Sequence, residues 1–197
     1  MALLLAGATA AQATVLNFDS LPGDSVAIPN GYGGLNWSNF YYLNAASYSG
    51  NPSGYLAGMV SPNNVAYNAF GDPASFSSAT TLTLNSAYFT GAWNDNLSIT
   101  AKGYNGANLV DSLIFTVSST APTLEVFNWS GIDSVVLSSS GGTPHGYPEG
   151  SGEHFAMDDL TINGGQQAVP EPSSVLIWGV AAVGLAAFAR RGRRGTA

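Results

Sequence analysis

Side chains able to do chemistry gather in three places along the chain. His145 and His154 bracket a glycine-rich loop over residues 143–154 that also carries Glu149 and Glu153. Zinc requires three or four ligands at fixed geometry, which a loop of this composition does not supply, so the loop reads as an ordinary exposed one. A glycosidase pair would have to come from Glu149 with Glu153 or Asp158. Such acids stand about 5–9 Å apart across a rigid cleft, and one flexible loop is a poor scaffold for that. Asp19, after the first apolar run, and Asp158 and Asp159, in the last, form the second group. If the first and last strands are neighbours, these carboxylates and nearby loop carbonyls make a calcium site; otherwise they are solvated or cap a turn. The third group is aromatic: Tyr32, Trp37, Tyr41, Tyr42, Tyr48 and Tyr55. Trp37, Tyr41 and Tyr55 are the candidates for stacking on sugar rings, against the alternative that they fill a core.

Other chemistries find no support. Serines are plentiful, but no G-x-S-x-G elbow, phosphate-binding loop or dinucleotide fingerprint occurs. The chain carries no cysteine, so a domain of this kind relies on packing, hydrogen bonds or metal for stability. Four of its five basic residues are Arg190, Arg191, Arg193 and Arg194. Lys102 is left to face eleven of the twelve acids, giving the segment before Pro170 a net charge of about −10. Such a surface repels phosphate backbones and disfavours nucleic acid. It attracts divalent cations.

The elements that must position these residues read as strands. Residues 14–18 are β-branched and aromatic, and a turn follows at Asp19–Asp24. Residues 35–42 read as extended, as do 65–70, 80–84, 87–92, 97–102, 124–129, 132–138 and 155–162. Asn105-Gly106 predicts a type I′ hairpin joining strands at about 97–104 and 107–117. The second of these is apolar on both faces, which predicts a place near the sheet centre. About nine short strands and no helix before residue 170 predict an all-β fold, an antiparallel β-sandwich of jelly-roll type.

Both ends differ from this body. Residues 1–13 are apolar and close on Ala11-Gln12-Ala13, a truncated secretory leader that lacks its basic region. The ectodomain then spans 14–163, with a short linker at 164–168. Beyond it come Val169-Pro170-Glu171-Pro172, an uncharged run to Ala189, and the arginine cluster. Residues 175–189 make about 22 Å of helix, short of the roughly 30 Å hydrocarbon core. Extension to 173–189 and snorkelling arginines close the gap, so a single membrane-spanning helix is expected. Its basic tail, 190–197, stays cytoplasmic and the body lies outside.

A Pro-Glu-Pro motif, one hydrophobic segment and a terminal basic cluster, in that order over residues 169–197, resemble the PEP-CTERM sorting signal of bacterial exported proteins. The resemblance implies recognition by an exosortase-type membrane protease, cleavage near the motif, and release of the ectodomain to the cell surface or beyond. The body resembles, more loosely, sandwich ectodomains found ahead of such tails, in Gly91-Ala92-Trp93, Gly103-Tyr104-Asn105-Gly106, residues 127–133 and residues 155–160. The expected function is a non-enzymatic, surface-sorted protein associated with extracellular polysaccharide. A carbohydrate-binding module with an aromatic platform and a small glycan hydrolase are the alternatives.

Overall fold

The structure, a computed structural model, describes residues 12–164. The sorting segment and nearly all of the leader and linker lie outside the described residues. Within them, strands β1 (Thr14–Leu16), β2 (Val26–Ala27), β3 (Asn36–Ser38), β4 (Phe40–Asn44) and β5 (Asn64–Asn68) come first. Helix α1 (Gly54–Ala57) lies between β4 and β5. Then come β6 (Ala74–Gly91), β7 (Asn94–Asp95), β8 (Leu97–Asn105), β9 (Asn108–Val117), β10 (Thr123–Ser140), β11 (Thr143–Pro144) and β12 (Phe155–Ile162). Every pairing among them is antiparallel.

One ten-stranded sheet runs in the order β2-β4-β5-β12-β6-β10-β8-β9, with β1 on β12 and β3 on β6. Strands β6 and β10 are 18 residues each. They carry the chain from one half of the sheet to the other. The sheet therefore curls until distant strands meet: Phe89 of β6 lies 5.1 Å from Phe115 of β9, and Phe40 of β4 lies 6.4 Å from Phe76 of β6, ring centre to ring centre. Between these halves sits the main core, from Phe18 and Leu35 through Ile99, Ile132 and Leu160. Alternation along each strand splits its residues between this core and the opposite face. Tyr42 points inward, while Leu43 points outward to a second cluster with Tyr55, Val65, Ala92, Trp93 and Ala156, and Tyr41 lies on the same outward side beside Tyr67.

Four expectations change. Where the sequence breaks at Asn85-Ser86 and Ser130-Gly131, the chain instead runs on as single long strands. Turn-forming residues become bulges: Asn128 at φ 52° and Gly131 at φ 72° coincide with register shifts in β10. The hairpin does form, but Asn105 pairs Asn108, so the two loop residues are Gly106 and Ala107. Gly106 alone of these takes positive φ, at 57°. Finally, β9 is an edge strand rather than a central one. Its apparent second apolar face stays in solvent, with Val110 and Ile114 exposed. A short α1 also stands where no helix was expected.

Candidate aromatic binding pocket

The outward face of β4 and β5 carries Tyr41 directly opposite Tyr67 in the antiparallel register. Their rings stand 6.0 Å apart and begin a continuous aromatic chain. Phe70 lies 6.2 Å from Tyr41; Tyr55 lies 5.4 Å from Tyr67; Trp93 lies 5.5 Å and Tyr48 5.3 Å from Tyr55. These six rings, with Ser25, Leu43, Ala69, Gly150, Ser151 and His154, line a cavity of about 390 Å³. That volume falls in the range of small-molecule sites, roughly 300–1,000 Å³.

Local sequence explains the placement. Gly54 opens α1 against the end of β6, where its N–H donates to the Ala92 carbonyl at 2.8 Å. A Cβ there would meet the Gly91 carbonyl oxygen at 1.8 Å, so only glycine lets Tyr55 approach the sheet. Gly150 plays the same part on the opposite loop, where a Cβ would strike the Trp93 ring at 2.3 Å. Phe70 sits in a tight turn after β5 at φ 61° and is 77% exposed. Positive φ is uncommon for a bulky residue and such strain is held by its surroundings. Here the Asn39 amide donates to the Ala69 and Pro73 carbonyls, and the fully buried Asn68 accepts from Phe155 N–H at 2.7 Å. A strained turn thus presents a large ring to solvent at the pocket rim.

The pocket is electrostatically one-sided. Burial, with the nearby Asp24 carboxylate, raises the Tyr48 phenol, and burial with neighbouring phenols and Asp24 pushes Tyr67 up to about 12. Tyr48, Tyr67 and the deeply buried Tyr55, whose phenol burial also raises, are therefore neutral at physiological pH. Burial also holds His154 below the usual histidine range, against the Asp72 charge. Its Nδ1 is buried with no hydrogen-bond partner among the described residues.

Of the three rings expected to stack on sugars, Tyr41 and Tyr55 line the pocket and Trp37 does not. Trp37 faces inward, 5.4 Å edge-on to Phe40, and spends its indole N–H on the Tyr32 carbonyl at 3.0 Å. Tyr32 and Tyr42 also belong to the inner core, whereas Tyr48 lines the pocket. Sequence reasoning missed Tyr67 and Phe70, and read His154 only as part of an exposed loop. Tyr67 was legible, being in an expected strand; its position opposite Tyr41 needed the register.

The acids have other work. Strands β1 and β12 are neighbours as anticipated, with Leu16 opposite Leu160. Yet Asp158 is fully buried, and its carboxylate accepts four hydrogen bonds. Oδ2 takes the Val60 and Ser61 N–H groups, both at 2.8 Å; Oδ1 takes the Ser61 hydroxyl at 3.0 Å and the Asp159 N–H at 2.7 Å. That uses the whole acceptor capacity of a carboxylate. Asp19 turns to the same segment and accepts from Asn64 N–H at 2.9 Å. The two acids therefore pin residues 60–64, a role that replaces the expected calcium ligation. The donor set does not fit calcium at Asp158. Among the described residues no three His, Asp or Glu side chains gather as a metal site. Asp159 makes no side-chain hydrogen bond among them.

The histidine loop is latched to its neighbours. Asp95 accepts from His145 Nδ1 at 2.7 Å and from the Ser119 hydroxyl at 2.6 Å, and these bonds, that from Ser119 first, lower its carboxyl to about 2. Glu153 accepts from Gly141 N–H at 2.5 Å. Glu153 and Asp158 are thus committed to backbone donors, and no carboxylate lines the pocket.

Residues 168–194 match the PEP-CTERM protein-sorting motif. The motif implies an exported protein, sorted to the cell surface and processed by an exosortase-type protease. No curated protein matches the chain. Among solved structures, a DUF4465 family protein from Bacteroides caccae is similar, with 12% identity and a TM-score of 0.54. The match covers 78% of this chain and 99% of that one. A DUF4465 family protein from Bacteroides ovatus is 10% identical with a TM-score of 0.46, over 77% of this chain and 98% of its own. TmCBM61, solved in complex with β-1,4-galactotriose, is 11% identical with a TM-score of 0.39, over 71% and 97% of the two chains. The likeness to the Bacteroides caccae protein is one of fold alone.

Proposed function

We propose that the chain is an exported, jelly-roll-like β-sandwich that holds extracellular polysaccharide in its aromatic pocket without cleaving it. On this reading residues 173–189 anchor it briefly in the membrane, and cleavage near Pro172 leaves residues before it at the cell surface. The observation that carries the proposal is the Tyr41–Tyr67–Phe70 wall beside an open cavity of about 390 Å³. Pyranose rings carry axial C–H faces that pack on aromatic faces, while their hydroxyls keep water or find polar rim groups such as Ser25 and Ser151. The structure spends folding energy to hold Phe70 exposed, which core filling does not require. Absence of an acid from the pocket wall favours binding over hydrolysis.

Calorimetry with the exported, processed protein and a panel of oligosaccharides tests this. Binding is expected, and Tyr41→Ala should weaken it by up to about 10-fold, in line with the roughly 0.5–1.5 kcal/mol scale of an aromatic contact. No reducing ends should appear on prolonged incubation. A folded protein that binds no saccharide, or a Tyr41→Ala variant that binds as the parent does, overturns the proposal.

A further inference from the structure

The pocket's charge environment selects among saccharides. No Lys or Arg lies among its lining residues, and the single lysine before the tail, Lys102, belongs to β8 in the other half of the sheet. Two carboxylates flank it instead. Asp24 is the neighbour of the lining residue Ser25 and is fixed there by the Asn44 N–H at 3.0 Å and the Ser25 hydroxyl at 3.3 Å. Asp72 closes the turn that carries Phe70, with its N–H on the Ala69 carbonyl, and lies near enough to His154 to act on it. The lining also carries Tyr41, Tyr48, Tyr67, Phe70 and Trp93, aromatic rings whose π faces have negative potential. An anionic sugar would meet two carboxylates and five such faces with no counter-charge. A cation would meet all of them favourably.

We infer that the pocket takes a saccharide bearing a protonated amine, with the ammonium against the Tyr41, Tyr67 and Phe70 wall that Asp24 and Asp72 flank. This rests on the saccharide reading above and adds the class of sugar. Acetylation of the amine removes the charge and adds bulk, so it abolishes the preference while leaving ring stacking in place. A cation–π contact together with a nearby carboxylate favours the amine by about 2- to 30-fold, screened partly by salt.

The test compares a glucosamine trisaccharide, its N-acetylated counterpart and trigalacturonic acid on the processed protein by calorimetry. The amino form is expected to bind about 2- to 30-fold more tightly than the N-acetyl form, and the acidic form not at all. Asp24→Asn keeps an oxygen for the Asn44 N–H, so the variant folds. It should narrow the ratio while leaving N-acetyl binding near its parent value. Equal binding of the amino and N-acetyl forms, or binding of the acidic form, overturns the inference and leaves the saccharide reading intact. Failure of all neutral and amino sugars to bind overturns both.

Discussion

Replacing Asp158 by alanine should unfold the domain about 10 °C earlier than the parent, the largest stability effect expected of any single exposed-or-buried acid here. Alanine leaves the Val60, Ser61 and Asp159 N–H groups and the Ser61 hydroxyl without their shared acceptor in a site sealed from solvent. Breaking a buried charged network costs about 3–5 kcal/mol, and a domain of this size loses roughly 2–4 °C per kcal/mol. Asp158→Asn keeps one acceptor oxygen and sets an NH2 group against donors, so it should also destabilise. Asp159→Asn, at the neighbouring residue and without a side-chain partner among the described residues, accepts the same positive φ of 48° and should change the melting temperature by little. Equal melting of all three variants and the parent would refute the pinning role. The same burial raises the Asp158 carboxyl from 3.8 to about 6, against the pull of its four donors. A folded-state value above the unfolded one means stability from this group is fully present below about 3.8 and lost as pH rises through about 6. Carbon-13 NMR of the carboxyl should show a midpoint near 6; a midpoint below 4 would contradict it.

Neutralising Arg190, Arg191, Arg193 and Arg194 together should block processing of the exported chain. As a helix, the proposed anchor over residues 173–189 would span about 25 Å and be weakly apolar, short of the roughly 30 Å hydrocarbon thickness. On this reading the arginines would both fix its orientation and hold its end at the interface. Exported parent protein should lack everything beyond about Pro172 by intact mass, whereas the quadruple variant should retain its tail or leave the membrane unprocessed. Normal cleavage of the variant, or parent protein at the surface with the 190–194 segment still attached, would contradict the sorting account.

How much of this was legible in the sequence depended on whether a feature was local. The closing strand β12 falls at residues 155–162 as read from the sequence, and the tail is recognisable from three consecutive local signals. Features set by register were not legible. Asn85-Ser86 and Ser130-Gly131 look like turns, and only pairing with neighbours on both sides turns them into bulges within β6 and β10. The two apolar faces of β9 suggested a central strand because sequence cannot say which strands lack a partner. Within the pocket, Tyr41 and Tyr42 are adjacent and equally aromatic, yet the pleat sends one to the cavity and the other to the core. Asp158 and Asp159 divide in the same way: one is buried with four donors, while the other takes φ 48° at a register shift. Trp37 was the instructive miss, since an aromatic in a polar stretch suggested exposure, whereas its neighbours Phe40 and Phe76 close over it.

The central claim is that the aromatic pocket is where this protein meets polysaccharide. NMR of the processed protein, titrated with oligosaccharides released from the matrix of the cells that export it, tests that claim most directly. The account predicts shift changes confined to Tyr41, Tyr48, Tyr67, Phe70 and Trp93, saturating with added sugar. Changes centred on the exposed face around Lys102 and Ile114, or none at any concentration, would contradict it.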